Sequence, residues 1–346
     1  MATEVPTLPW LPADPEQELT RRSHGALWFV ARRVLAGVVT LIVVSLLTFA
    51  ALQILPGNVA SVVLGRSATP QATKEIEAKL NLDKPFFERY GEWFKGAVHG
   101  DFGDSSLALA QGASNPTISS RIGEPLVNTL ILAGLVVVLL IPLSILFGVI
   151  AAKAADRLPD QAISVSTLIF TAMPEFVIGS VLVLLFFTAL GVLPPNTIIP
   201  PGGNPFEHPD ALIMPVLTLL LTSLAWTTRL VRAGMVDVLR SDFIRYERLN
   251  GIPERRVIWR DGVRNGLAPS VQVFALSIQY LIGGVIVTEA VFTYPGIGSL
   301  LVSAVLGRDV TEVQAITVIV AAAYITINII ADLLVVFLVP KLRTEL

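Results

Sequence analysis

The sequence predicts an all-α membrane protein with six transmembrane helices. Of the 346 residues, 53% are hydrophobic and 15% are charged, whereas soluble domains carry about 25% charged residues. Six apolar runs are each long enough to cross about 30 Å of hydrocarbon, which takes roughly 20 helical residues. Runs of this length favour helices over barrel strands, because a helix satisfies its own backbone hydrogen bonds in lipid.

The six runs define the expected organisation of the chain. They cover residues 34–55, 126–152, 163–190, 212–230, 270–291 and 315–339. The first run is longer than the apolar core of a cleavable signal peptide, and no small-x-small cleavage site follows it directly. We therefore expect four regions in order. These are a cytoplasmic polar tail over 1–29, a first span over 30–55, an extracytoplasmic insert over 56–123 and a five-span core over 124–346.

The positive charges favour a cytoplasmic location for both termini. Short inner loops of membrane proteins are enriched in Lys and Arg. With both termini inside, the inner segments hold Arg32 and Arg33 at the start of the first span and nine arginines between Arg229 and Arg264. The two short outer connections, 191–211 and 292–314, hold only Arg308.

The outer segment after the first span is too long for a simple connector and is expected to form a small helical insert. Thr69 and Pro70 form a typical helix start, which predicts a helix to about residue 82. A second helix is predicted over 85–98, and it carries five aromatic residues. These are Phe86, Phe87, Tyr90, Trp93 and Phe94. Two interpretations are open, in which the aromatic residues form the packing core of the insert or a substrate-binding patch.

The inner segment 232–268 carries eight arginines mixed with five acidic residues. Its apolar residues recur at mostly three-to-five-residue intervals, which predicts an amphipathic helix pair broken near Gly251 and Pro253. A basic amphipathic helix can lie on anionic lipid headgroups. The mixed acidic residues and the glycine break favour a protein partner instead.

The common catalytic motifs are missing from the sequence. There is no G-x-x-x-x-G-K-[ST] phosphate loop, no H-E-x-x-H zinc motif and no G-x-S-x-G nucleophile elbow. The chain has no cysteine, and no predicted span contains histidine or lysine. A formal net charge of −2 argues against a nucleic-acid binder. We expect a non-catalytic protein.

We single out four of the polar residues within predicted spans, where charged groups are costly and often functional. Glu175 lies mid-span beside Pro174, and Glu289 ends the fifth span. Asn328 and Asp332 lie one turn apart on one face of the last span, expected to point to the bundle interior. Each can bond neighbouring helices or line a water-filled path, and both roles are open.

From residue 214 onward, the chain resembles the inner-membrane permease subunits of ABC importers of the dipeptide, oligopeptide and nickel group. The inner stretch matches the family's Arg-x-x-Arg, aromatic-x-Arg, Gly-x-x-x-Arg-Arg-Val and Arg-Asn-x-x-x-Pro elements. The matching positions are Arg229, Arg232, Arg245, Gly251, Arg255, Arg256, Val257, Arg264, Asn265 and Pro269. The outer stretch EAVFTYPGIG resembles the family's Glu-x-Val-Phe-x-x-Pro-Gly-x-Gly signature, which places Pro295, Gly296 and Gly298 after Glu289.

Further motifs extend the resemblance over about residues 30 to 343. Asn328 and Asp332 match the family's last-span Asn and Asp. Upstream, LPGN at 55–58, HGDFGDS at 99–105, MPEF at 173–176 and LPP at 193–195 also fit. Several motifs in the right order are far more specific than any one of them.

The resemblance implies a type I ABC importer permease fold in the bacterial inner membrane. It implies a pathway formed with a second homologous permease chain, an extracytoplasmic substrate-binding protein, and two ATPase subunits that hold ATP and Mg²⁺, so that this chain itself binds no cofactor. Short coupling helices within 232–268 would dock on an ATPase subunit. The expected coupling residues are Arg245, Glu247, Arg248, Gly251, Arg255 and Arg256.

Two positions depart from the family pattern. Glu247 replaces a common Ala and Asn250 a common Lys, which changes the charge that a partner ATPase would meet. Dipeptides, oligopeptides, nickel chelates and glutathione all remain open as substrates. The alternative is a self-contained secondary transporter or channel, for which internal repeats would be typical; we recognise no convincing repeat between the two halves.

Overall fold

The computed structural model describes residues 15–54, 69–79, 83–200, 202–266 and 270–338, and these residues are mostly helical. The helices are α1 (Pro15–Ile54), α2 (Pro70–Lys79), α3 (Phe86–Val98), α4 (Ser106–Ala110), α5 (Ile118–Lys153), α6 (Leu158–Ala172), α7 (Glu175–Val183), α8 (Pro209–Leu239), α9 (Asp242–Leu249), α10 (Glu254–Arg256), α11 (Val263–Gly266), α12 (Ser270–Phe292), α13 (Ile297–Leu306) and α14 (Val310–Leu338). Within this described part there is no extended strand, and a single isolated bridge joins Asp104 to Thr117.

Four stretches of the described helices are long and apolar enough to cross a membrane. They are Val30–Leu52, Ile118–Lys153, Pro209–Leu239 and Val310–Leu333. Two more spans result if bent helix pairs are each counted as one, namely α6 with α7, bent by 105°, and α12 with α13, bent by 67°. Length and composition therefore give four to six spans, and the six apolar runs of the sequence coincide with them.

The third apolar run, 163–190, is divided in the structure between two helices with a sharp bend between them. Helix α6 ends at Ala172 and α7 begins at Glu175. Met173 between them is extended, with φ −98° and ψ 130°, as sterics favour for a residue that precedes proline. Pro174 also lacks the backbone N–H that would continue the helix. The motif MPEF therefore marks a sharp bend inside the predicted span.

Several helices begin earlier than the apolar runs. Helix α1 begins at Pro15, inside the predicted polar tail, and α5 begins at residue 118 rather than 126. The predicted outer connection 292–314 is mostly helical, because it contains α13 and the start of α14. Hydropathy marks only the apolar part of a helix, so a helix that continues into polar sequence extends beyond its apolar run.

Helix α8 forms the centre of the bundle and contacts α5, α6, α7 and α12. Its approach to α5 is close, because a Cβ added at Gly148 would lie 2.8 Å from Cβ of Val231 and 3.1 Å from the backbone nitrogen of Arg232. Small residues allow such close packing of helices in lipid. Leu132, Leu219 and Leu281 are among the buried side chains that fill the core around α8.

Helix α1 lies at the periphery and packs along α14. A Cβ added at Gly37 would lie 2.7 Å from Cγ2 of Ile325, so the two helices are in direct contact there. On its other side α1 exposes apolar side chains such as Leu35 and Leu47. An apolar face that is left open in this way is suited to lipid.

The aromatic face of α3 packs against α1. The ring centroid of Phe49 lies 5.2 Å from that of Phe86 and 5.5 Å from that of Tyr90. The hydroxyl groups of Tyr90 and Ser45 form a hydrogen bond of 2.8 Å. Among the aromatic side chains of α3, Phe87 is exposed, at 79%, and the other four are half-buried. This packing supports the interpretation in which the aromatic residues form an apolar core, here shared with α1.

Candidate coupling surface and intramembrane polar groups

The segment that follows α8 folds into two short helical pieces joined by a tight turn at Gly251. Gly251 has φ +73°, in the left-handed region that favours glycine. Its N–H donates to the carbonyl of Arg248 at 3.1 Å, and the N–H of Ile252 donates to the carbonyl of Glu247 at 3.2 Å. These two bonds form a Schellman motif that ends α9. The break predicted near Gly251 and Pro253 is confirmed.

An ion pair joins the two sides of this turn. Nε and Nη2 of Arg248 donate to the two carboxylate oxygens of Glu254 at 3.1 and 2.9 Å, and Nη1 donates to the carbonyl of Leu239 at 3.4 Å. The Arg248 guanidinium also holds the pKa of the Glu254 carboxyl below its usual value. Arg248 thus has partners within its own chain and stabilises the turn.

Three apolar side chains of the segment are buried, and one of them packs against the end of α8. Ile244 and Val257 are fully buried, and Ile258 is nearly so. Ile258 belongs to the same apolar cluster as Met235 and Leu239 of α8. Because these buried side chains come from both sides of Gly251, both parts of the segment are packed.

The opposite face of the segment is exposed and combines apolar and basic groups. Leu249 is 78% exposed and Tyr246 is 69% exposed. Trp259 lines a shallow recess of about 410 Å³ together with Pro253 and three arginines. Exposed large apolar side chains beside arginines are typical of a protein interface. We name this face the coupling surface, formed by Phe243, Arg245, Tyr246, Leu249, Arg255, Arg256, Trp259 and Arg260.

The six expected coupling residues lie close together but in different surroundings. Arg245, Arg255 and Arg256 are exposed on the coupling surface. Glu247 is half-buried, and among the residues that the structure describes none donates a hydrogen bond to its buried Oε2. Arg248 and Gly251 hold the turn, as described above. Pro269, Lys341 and Arg343 lie outside the described residues, as does the LPGN motif.

The outer motif EAVFTYPGIG forms the packed turn between α12 and α13. The Glu289 carboxylate is fully buried and accepts hydrogen bonds from Thr129 Oγ1 and from the backbone N–H of Gly298, both at 2.6 Å. A Cβ added at Gly296 would overlap this carboxylate, and one at Gly298 would lie 2.5 Å from Cα of Ile286. Both glycines are therefore needed for close packing around Glu289.

The same turn is bonded to α5 by a pair of reciprocal hydrogen bonds. Tyr294 is fully buried, and its hydroxyl donates to the carbonyl of Asn128 at 2.8 Å. The Asn128 side-chain amide donates to the carbonyl of Pro295 at 2.9 Å. Pro295, Gly296, Gly298 and Glu289 are thus brought together, and the surroundings of Glu289 in this chain are those of a structural anchor.

Asn328 and Asp332 lie on the face of α14 that meets α1. Asp332 accepts from Nε of Arg33 at 2.9 Å, and the Asn328 side chain donates to the carbonyl of Tyr324 on its own helix at 3.0 Å. We expected Asp332 to point to the bundle interior. It instead contacts the peripheral helix α1. An ion pair that joins two helices in lipid is a structural role that the sequence left open.

Glu175 lies at the first turn of α7, directly after the bend. Its Oε1 accepts a hydrogen bond of 2.5 Å from the hydroxyl of Tyr280 on α12. Glu175 is half-buried, while Tyr280 is 56% exposed. The sequence pointed to Glu175, but not to its partner, because the two residues are 105 positions apart.

Two buried acidic residues were not among the candidates from the sequence. Asp160 accepts from Nε and Nη2 of Arg232 at 2.5 and 2.6 Å, which ties α6 to α8. Asp309 accepts from the hydroxyl groups of Ser105 and Ser106 and from the N–H of Leu107 at 3.2 Å, which ties α4 to the start of α14. Ser105 ends the HGDFGDS motif and Asp309 follows the outer motif, so both lie in stretches already singled out.

Comparison with known proteins identifies relatives of this chain along most of its length. A family model described as "Binding-protein-dependent transport system inner membrane component" matches residues 144–344, and a model for the N-terminal part of such proteins matches residues 26–114. A putative peptide transport system permease protein of Brucella abortus (strain 2308) is 32% identical over 91% of this chain and 99% of the relative. An oligopeptide transport system permease protein of Bacillus subtilis (strain 168) is also 32% identical, over 91% and 99%. A glutathione transport system permease protein of Escherichia coli (strain K12) is 33% identical over 91% and 98%.

Proposed function

This chain belongs to the family of binding-protein-dependent transport system inner membrane components, and on that basis we propose that it is a permease subunit of an ATP-driven importer of peptides. It is a multi-pass membrane protein. Three of its relatives are named for the transport of peptides, oligopeptides and glutathione. All three names refer to peptide-like solutes, which is why we assign di- or oligopeptides as the substrate class.

In this proposal the chain crosses the membrane six times, with each bent pair as one span and both termini in the cytoplasm. Helices α2 to α4 belong to an extracytoplasmic insert. A second homologous permease chain completes the pathway, and an extracytoplasmic binding protein delivers the peptide. Two ATPase subunits bind ATP and Mg²⁺, whereas this chain binds no cofactor and catalyses no reaction. Alternating access then follows from movement of helix bundles between two states.

The coupling surface is the observation that carries the proposal. It exposes four large apolar side chains, Phe243, Tyr246, Leu249 and Trp259, on a segment whose Ile244 and Val257 are buried. Arginines surround the apolar groups, which suits a partner groove with acidic walls. A lipid-facing helix would instead gather its apolar side chains on one face, and here the buried face is used for packing on α8.

Deletion of residues 242–260 tests the proposal directly. We expect the deleted chain to lose co-purification with an ATPase subunit. Because the deletion also removes the anchors Ile244 and Val257, a milder variant is needed. Leu249→Asp places a charge at the centre of the coupling surface and should weaken ATPase binding by about tenfold or more, as expected when an interface hot spot is lost.

The matched control is Leu306→Asp, because Leu306 is equally exposed, at 80%, but ends α13 on the predicted outer side. It should leave ATPase binding unchanged. Retention of the ATPase subunit by Leu249→Asp would contradict the proposal. Transport by the purified chain alone in liposomes, without ATP or partner subunits, would instead support a self-contained transporter or channel.

A further inference from the structure

Glu175 differs from the other acidic side chains that lie within predicted spans. The other two, Glu289 and Asp332, are each bonded to groups of the same chain. Asp332 pairs with Arg33, and both carboxylate oxygens of Glu289 accept hydrogen bonds, one from Thr129 and one from the N–H of Gly298. For Glu175, the described part of the chain supplies one neutral hydroxyl group and no cation. No cation among the described residues therefore pairs with the Glu175 carboxylate.

The surroundings of the Glu175 carboxylate leave room for such a partner. Oε1 accepts the Tyr280 hydroxyl, and no described residue donates to Oε2. Gly284 follows Tyr280 by one turn on α12, and a Cβ added there would lie 3.4 Å from Oε1. At the neighbouring Gly283 an added Cβ would meet no atom within 4 Å. The Glu175 carboxylate thus lies beside Gly284, and the space next to the neighbouring Gly283 is open.

The position within the fold indicates a ligand site. Glu175 follows the 105° bend between α6 and α7, in the middle of the predicted third span. Transporters commonly bind charged substrate groups near the bilayer midplane, where discontinuous helices meet. A carboxylate inside a membrane protein is costly unless it is paired or faces a water-filled path. The first turn of α7 also favours a negative charge, because the positive end of the helix dipole lies there.

We propose that Glu175, positioned by Tyr280, binds the protonated amino terminus of a peptide as it passes through the membrane. This inference rests on the proposed function. The free α-amino group of a peptide has a pKa of about 7.7–8.0, so it is largely an ammonium ion at neutral pH. An ammonium group carries three donors and no acceptor, whereas a carboxylate only accepts. An ammonium group would donate a hydrogen bond to the free Oε2 and would pair with the carboxylate charge.

The test uses the complete importer in proteoliposomes, with this chain, the second permease, both ATPase subunits and the binding protein. The probes are tri-alanine and the same peptide with hydrogen in place of its amino group, each supplied on saturating binding protein. Uptake and ATP hydrolysis are measured for the wild type, Glu175→Gln and Tyr280→Phe. Asp332→Asn is the matched control, because it also removes an acidic charge from a predicted span.

We expect Glu175→Gln to lower tri-alanine uptake by about tenfold or more, the loss expected for one charge-assisted hydrogen bond. Uptake of the amine-less peptide should stay within about twofold of the wild type, and the loaded binding protein should still stimulate ATP hydrolysis. Tyr280→Phe should lower tri-alanine uptake by less, because it removes only the positioning bond. Asp332→Asn should change the uptake of both peptides by the same factor.

Three results would overturn the inference. The first is an unchanged tri-alanine uptake by Glu175→Gln. The second is an equal fall in the uptake of both peptides by this variant. The third is loss of the second permease chain from the Glu175→Gln complex, which would assign the missing cation to that chain. A wild-type assembly that imports no tri-alanine would contradict the proposed function itself. The two failures are therefore distinguishable.

Discussion

Single buried acidic residues hold together parts of this chain that are far apart in sequence. Asp309 accepts hydrogen bonds from residues about 200 positions earlier and so fixes the insert to α14. Asp160 does the same for α6 and α8 through Arg232. In each case the carboxylate is almost completely buried, so its donors are indispensable, because an unpaired buried charge is costly.

We expect Asp160→Asn to lower the free energy of unfolding by about 3 kcal/mol, since it leaves Arg232 beside a neutral group in a partly buried site. Thermal unfolding of the detergent-purified chain, followed by tryptophan fluorescence, measures the change. Asp156→Asn is the control, because Asp156 is 84% exposed and lies 3.7 Å from Arg240. It should change the stability by about 0–1 kcal/mol. Equal effects of both substitutions would argue against the role of the buried pair.

At Gly251 we expect substitution by proline to stop transport while membrane insertion stays intact. Proline requires a φ near −65°, which is incompatible with +73°, and it removes the N–H that donates to Arg248. Gly251→Asn is the control, because asparagine tolerates the left-handed region. Uptake and the amount of membrane-embedded chain are measured together. Normal uptake by Gly251→Pro would refute the role of the turn.

At the scale of elements, the two bent pairs distinguish this bundle from six straight helices. The bend between α6 and α7 follows from Pro174, whereas the bend between α12 and α13 is held by side chains from another helix. Thr293 at the second bend has φ +53°, and Tyr294 is anchored on Asn128 of α5. The second bend also contains a proline, Pro295, and is in addition fixed by packing against α5.

We expect Gly296→Ala to destabilise the turn between α12 and α13 by about 1–3 kcal/mol, because the new methyl group would displace the Glu289 carboxylate. The melting temperature of the purified chain reports the effect. Gly283→Ala, in open space on α12, is the control and should be neutral or stabilising by up to about 1 kcal/mol. A melting temperature that Gly296→Ala leaves unchanged would contradict this account of the motif.

The sequence was sufficient to locate the apolar helices and the broken amphipathic segment, because both depend on local patterns of apolar residues. It was not sufficient to locate the helix ends, since α1 and α5 extend into polar sequence. Nor did it show the partners of Asp309, Asp332 or Tyr280. Such pairs are brought together only by helix packing, and a single sequence carries no local signal for a contact between distant residues.

At the scale of the whole molecule, the topology that we propose places the coupling surface and the insert on opposite sides of the membrane. The coupling surface continues from one end of α8, while α3 packs beside the far end of α1. In the topology that we propose, the bias of positive charge assigns the coupling surface to the cytoplasm. The proposed topology then assigns the insert to the outer side.

The absence of cysteine allows this topology to be tested with single cysteines. Leu249→Cys and Phe87→Cys form a matched pair, because the two side chains are 78% and 79% exposed. In intact cells whose outer envelope has been made permeable, a membrane-impermeant maleimide should label Phe87→Cys only. Leu249→Cys should react after the inner membrane is opened. Labelling of Leu249→Cys from outside would reverse the assigned orientation.

Helix α8 is unbroken over 31 residues from Pro209 to Leu239, so at 1.5 Å per residue it is a rod roughly 45 Å long. One end carries the buried anchors of the coupling surface, and the other begins near the turn at Pro205. When so long a helix tilts about one end, a small angle moves the other end by several ångströms. If an ATPase subunit tilted the helix by about 5° about its lower end, the upper end would travel roughly 4 Å, about the width of a methyl group.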